Sequence, residues 1–177
     1  MSNLSASPKT VDSAQTNASE QRIVPFLWFD GDAEEAINFY VSLFPDSSIV
    51  NISRYKDAGP GGNETVTTAT FVLNGQEFMA LNGGPMFKFT EAVSFYVKCE
   101  TQAEVDDLWN KILANGGKEQ HCGWIKDKFG LSWQIIPNIL GQLLGDKDPQ
   151  KSKRVMQAML QMVKIDINGL KRAYEQE

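Results

Sequence analysis

Residues 24–40, VPFLWFDGDAEEAINFY, return in form 69 positions later as residues 93–109, VSFYVKCETQAEVDDLW. Val24 corresponds to Val93, Phe26 to Phe95 and Asp32 to Thr101. Each copy opens with an apolar, strand-like run and continues into a one-sided pattern. In the first copy the pattern is Ala36, Phe39, Tyr40, Leu43 and Phe44; in the second it is Val105, Leu108, Trp109, Ile112 and Leu113. Steps of three and four place those side chains on one helical face. Asp32 with Glu35, and Thr101 with Glu104, have capping-box form, in which the cap oxygen accepts an amide proton three residues on and the Glu reaches back. Pro45 ends the first helix because it cannot continue one, and Gly116-Gly117 ends the second.

Working outward, β-rich runs follow each helix: residues 49–55, 66–73 and 77–81 in the first half, then 118–127 and 131–137 in the second. Asn74-Gly75 predicts a tight type I′ hairpin, since both central residues of that turn need positive φ. Gly59-Pro60-Gly61-Gly62 predicts a longer connection between strands rather than a phosphate-cradling loop at a helix start. The expected fold is α+β: two βαβββ modules, residues 23–84 and 92–137, forming a curved, mainly antiparallel sheet with helices outside. The face opposite the helices is then concave and open to a ligand.

Composition bounds the rest. The chain has 177 residues, 42% of them hydrophobic, which suits one substantial core. A net charge of -5 without a Lys/Arg stripe argues against nucleic acid and anionic lipid as partners. Two cysteines, Cys99 and Cys122, do not make a disulfide framework and read as structural thiols in a reducing compartment. Residues 1–22 read as a disordered polar tail with no signal-peptide pattern, and no run reaches the ~20 apolar residues of a membrane span. A cytoplasmic protein is expected. Residues 138–177 form a helical extension: Asp148-Pro149 is a helix start, and Val155, Met156, Met159, Leu160, Met162 and Val163 make an apolar face. That face either packs on its own domain, or crosses to a neighbouring subunit or closes over the cavity.

Four segments carry a family resemblance: PFLWFDGDAEEAINFY at residues 25–40, AVSFYVKCETQAEVDDLW at 92–109, CGWIKDKFGLSWQIIP at 122–137 and RVMQAMLQMVKIDINGLKRAY at 154–174. With them the chain resembles the PhnB-like members of the vicinal oxygen chelate superfamily, often labelled 3-demethylubiquinone-9 3-methyltransferase domains. The resemblance implies paired modules and favours a homodimer. It also implies that enzymes of the superfamily hold a divalent metal with His, Gln or Glu from the first and last strands of each half. The corresponding positions are Pro25, Ala92 or Ser94, Ala80 or Asn82, and Gln134. One neutral amide and a lone His121 make a poor metal site, so no metal and no cofactor is expected.

What remains is a shaped cavity. Period two puts Val93, Phe95, Val97 and Cys99 on one face of their strand, with Ser94 and Tyr96 on the other. Leu131, Trp133 and Ile135 likewise oppose Ser132, Gln134 and Ile136. Ser94, Tyr96, Ser132 and Gln134 are therefore the candidate polar groups, with Trp28 and Trp124 as aromatic walls. Asp127 is expected to fix the turn before Gly130 rather than to act as a base. Two functional classes fit: a metal-independent small-molecule binding protein, or an enzyme of the same fold with Tyr96 or a carboxylate as proton carrier. The first is preferred. The methyltransferase label lacks the Gly-rich strand-to-helix loop that an S-adenosylmethionine site uses.

Overall fold

The computed structural model describes residues 21–56 and 66–176. The Gly59–Gly62 connection and the polar tail up to residue 20 lie outside the described residues. The first module runs β1 (Phe26–Phe29), α1 (Ala33–Leu43), β2 (Ser48–Tyr55), β3 (Val66–Leu73) and β4 (Gln76–Asn82). The second repeats it as β5 (Ser94–Cys99), α2 (Gln102–Ala114), β6 (Lys118–Glu119), β7 (Trp124–Lys126) and β8 (Ser132–Pro137). Each module closes into its own four-stranded sheet, in the order β1-β4-β3-β2 and β5-β8-β7-β6. In both, the first strand lies parallel to the last and the other pairings are antiparallel. The duplication read from the sequence is thus a duplication of topology, α+β throughout.

The local signals act largely as their chemistry dictates. Thr101 Oγ1 accepts from the Glu104 amide at 3.2 Å. Glu104 in turn accepts from the Glu100 amide, one residue before the cap. At α1 the expected cap fails: Asp32 makes no side-chain cap bond. The Ala33 amide donates instead to Asn82 Oδ1 at 2.9 Å, and Asn82 Nδ2 donates to Gly31. A polar side chain at the end of β4, adjacent to the helix start through the parallel pairing, takes over the local cap's work. Asn74 and Gly75 both have positive φ, 47° and 77°, as the hairpin requires. The single strand expected over residues 118–127 is two. Cys122 and Gly123 adopt positive φ, and the Gln120 amide donates to Trp124, turning the chain between β6 and β7.

One core joins the modules. Leu27, Phe29, Tyr40, Phe71, Phe78 and Ala80 from the first meet Val105, Trp109, Ile125, Trp133 and Ile135 from the second. Tyr40 and Phe44 of the first module pack against Trp133 of the second, as Phe78 packs against Phe95. Buried aromatics of this size each contribute several kcal/mol of transfer free energy, about 25 cal/mol per Å² of apolar area.

The C-terminal helices α3 (Asn138–Leu144), α4 (Pro149–Leu160) and α5 (Ile167–Glu175) pack on their own chain. Leu140, Val155, Ile165 and Leu170 form a second core with Ile136 of β8. The backbone is tied as well: Cys122 and Gly123 amides donate to Met162 and Val163 carbonyls at 2.8 Å each. Of the sequence alternatives, intramolecular packing is the arrangement adopted, although Met156 and Leu160 stay exposed. Among the described residues no helix is long and apolar enough to cross a membrane.

Candidate functional site

Strand register places five of the six candidate residues on one face of the second sheet. Tyr96 is aligned with Gln134, and Gln134 with Trp124, giving an aromatic–amide–aromatic row across three strands. The next row reads Ser94, Ser132 and Lys126. Phe95, Val97, Trp133, Ile135 and Ile125 lie in the core on the opposite face. The polar alternation in the sequence therefore maps onto an inner side facing the shared core and an outer side that helices cover only at its Ile136 end.

Gln134 Nε2 donates to Ser94 Oγ at 2.8 Å, a bond between residues 40 apart in sequence. Ser132 is completely buried, and its hydroxyl has no partner among the described residues. Tyr96 is 55% exposed, and desolvation of part of its surface raises its phenol above the usual value. Lys126 forms an ion pair with Glu91, from the loop between the modules, and that ammonium holds the Glu91 carboxyl below its ordinary range. One end of the face is closed by Ile136 and the C-terminal helices, while Glu91 stands at the other. Lys126 and Glu91 were not among the sequence candidates. Lys126 was legible as the period-two neighbour of Trp124, but Glu91 reaches it across 35 residues through a loop.

Trp28 is apart from these five. It sits in β1, donates its indole N–H to the Gly84 carbonyl at 2.8 Å and packs edge-on against Phe87. A side chain at Gly83 would collide with its ring, at 2.2 Å. Trp28 lines a recess of about 240 Å³ with Phe29, Phe87 and Phe129. A larger recess of about 710 Å³ runs along β5 on the core side of the second sheet, between Phe44, Phe78, Phe95 and Trp133. Of the six candidates it includes Tyr96 alone. Its rim carboxylates are already engaged, Asp107 with Lys111 and Glu104 with the Glu100 amide. Its lining also carries the side chains of Asn74, Gln76 and Lys98.

Asp127 fixes its turn, as expected, and does more. Its carboxylate accepts from the Phe129 and Leu131 amides, from Trp133 Nε1 and from the Tyr40 hydroxyl. With every lone-pair direction occupied it is a structural group.

A profile described as 3-demethylubiquinone-9 3-methyltransferase matches residues 21–136. The chain belongs to this family. Among solved structures it is similar to a Bacillus cereus PhnB protein described as a 3-demethylubiquinone-9 3-methyltransferase, at 47% identity and a TM-score of 0.58, covering 64% of this chain and 97% of that one. It is also similar to a Pseudomonas aeruginosa protein, at 22% identity and a TM-score of 0.51, covering 63% and 92%. A fosfomycin resistance protein from Listeria monocytogenes is similar at 14% identity and a TM-score of 0.48, covering 65% and 88%. No curated protein matches the chain. Family and fold together place the protein in the vicinal oxygen chelate superfamily.

The divalent ion implied by that superfamily does not fit the residues present. Pro25 has no donor, Ala80 is fully buried in the core, and Asn82 is occupied at both ends of its amide. Gln134 offers only a neutral amide oxygen, its Nε2 being held by Ser94. His121 is exposed in the β6–β7 turn. Among the described residues no group of three or more His, Cys, Asp or Glu is placed to hold a metal ion.

Proposed function

We propose that this member of the family is a metal-independent small-molecule binding protein whose ligand lies on the outer face of the second sheet. The observation that carries this reading is the cross-strand row in which Gln134 stands between Tyr96 and Trp124 while its amide is held by Ser94. Two aromatic walls with an oriented amide between them suit a flat ligand, which gains contact area from the rings and orientation from the amide. Trp28 contributes from the first sheet rather than from this row.

A second copy of the chain supplies the missing cover. The outer face of the first sheet carries Phe26, Met79 and Thr70 in one row and Trp28, Leu81 and Thr68 in the next. Phe26 is exposed. Apolar rows of this kind are costly to leave in water, and a homodimer that apposes the first sheet of one protomer to the second sheet of its partner encloses both. The methyltransferase name implies a Gly-rich strand-to-helix cofactor loop, whereas the two such connections here, Asp30-Gly31-Asp32 and Glu100-Thr101, carry a single glycine between them.

Native mass spectrometry of the freshly purified protein, with metal analysis, tests the reading. A dimer with a co-purified organic molecule and no stoichiometric ion supports it. A tightly held divalent ion, or turnover that collapses by ~10²-fold on Tyr96→Phe, points to the enzyme instead.

A further inference from the structure

The open face of the second sheet has an uneven supply of donors and acceptors. The Gln134 amide N–H is spent on Ser94 Oγ, which leaves the Ser94 hydroxyl proton without an acceptor among the described residues. Ser132, next in that row, is wholly buried with an unpartnered hydroxyl. A buried hydroxyl without a partner is unfavourable, because it has lost its water and gained nothing in exchange. Lys126 completes the row, and its ammonium carries three donors. Two hydroxyls and an ammonium in cross-strand register form a donor-rich strip, side by side with the Tyr96–Gln134–Trp124 row.

An anion already occupies the end of that strip. The Glu91 carboxylate, carried in by the loop between the modules, pairs with Lys126. Glu91 is half exposed, with 52% of its side-chain surface open to solvent. Lys126 keeps 28% of its side-chain surface open, and a pair this close to solvent is screened enough for a competing anion to replace Glu91.

We infer that the ligand of this face is a planar aromatic anion, an arene carboxylate or a close relative. Its ring lies between Tyr96 and Trp124, and its oxygens displace Glu91 from Lys126 and take up the hydroxyl proton of Ser94. The inference rests on the preceding reading that the ligand lies on this face, and adds the ligand's charge and the role of Glu91 as a built-in competitor. Charge-assisted hydrogen bonds supply the preference over neutral analogues.

Calorimetric titration of the full-length protein with 1-naphthoate and with 1-naphthamide tests it. Naphthoate is expected to bind at least about tenfold more tightly than naphthamide. Lys126→Gln abolishes that preference, while Lys126→Arg, which keeps the charge, retains it. Glu91→Gln strengthens naphthoate binding by removing the competitor. Equal affinity for the two compounds overturns the anion inference and leaves the binding reading standing. Weaker naphthoate binding in Glu91→Gln overturns the competitor role. If neither compound binds, this inference and the reading beneath it both fall.

Discussion

The Tyr40 hydroxyl donates to Asp127 Oδ2 at 2.8 Å, linking the first helix of one module to the final hairpin of the other. Asp127 is 4% exposed, and its second oxygen holds the Phe129 and Leu131 amides. The carboxylate is thus a shared fastener for two halves that the duplication alone would leave independent. Desolvation raises the Asp127 pKa, and the Trp133, Tyr40 and backbone donors pull against that rise. Burial and the neighbouring carboxylate push the Tyr40 phenol well upward, so it remains a donor at any physiological pH.

Asp127→Asn is expected to cost about 1–3 kcal/mol, because an amide offers its oxygen to only one donor pair, the Phe129 and Leu131 amides or the Trp133 indole and Tyr40 hydroxyl, and turns an NH2 toward the other. Urea denaturation measures it. Tyr40→Phe should cost less, and the double mutant should show non-additivity, since both changes break one bond.

The same residue sets a pH dependence. A folded carboxyl that binds its proton more tightly than the unfolded chain adds stability below the ordinary carboxylate pKa and loses it as pH rises through the folded value. The penalty of Asp127→Asn is therefore largest in acid and shrinks to a plateau toward neutral pH. Denaturation of both proteins from pH 3 to 7 checks this; a penalty that grows with pH contradicts it.

The helix caps separate cleanly. Thr101→Ala should destabilise by about 1 kcal/mol, since its hydroxyl caps α2. Asp32→Ala should change stability little, whereas Asn82→Ala, fifty residues away, should carry the α1 capping cost. Thermal unfolding of the three variants distinguishes local from imported capping.

Gly123 holds the C-terminal helices to the second sheet. Its φ is +81°, and an added Cβ would lie 2.6 Å from Ile136 and 3.0 Å from Ile165. Gly123→Ala should therefore loosen α3 to α5, seen as faster amide exchange across residues 138–175 with the two modules retained.

The thiols should differ in reactivity. Cys99 is 1% exposed, and burial, aided by Glu104 and Glu100, pushes its pKa up to about 11. At pH 8 only about one Cys99 in a thousand is thiolate, so an aromatic disulfide reagent should modify Cys122 first and Cys99 only on unfolding.

The duplicated modules, the two module helices, the strand order of the first module, the Asn74-Gly75 hairpin and the inner and outer faces of β5 and β8 were legible in the sequence, whereas the split of residues 118–127 into β6 and β7 was not. Each legible feature depends on spacing along the chain, which period two and period 3.6 report directly. The α1 cap was not legible, because Asn82 becomes Asp32's replacement only through the parallel pairing of β1 with β4. Nor was the Glu91–Lys126 pair, the separation of Trp28 from the other candidates, or the fastening of Tyr40 to Asp127. Those belong to tertiary structure, since each joins residues brought together by strand register or core packing across 35 or more positions, and no local pattern encodes which partner will arrive.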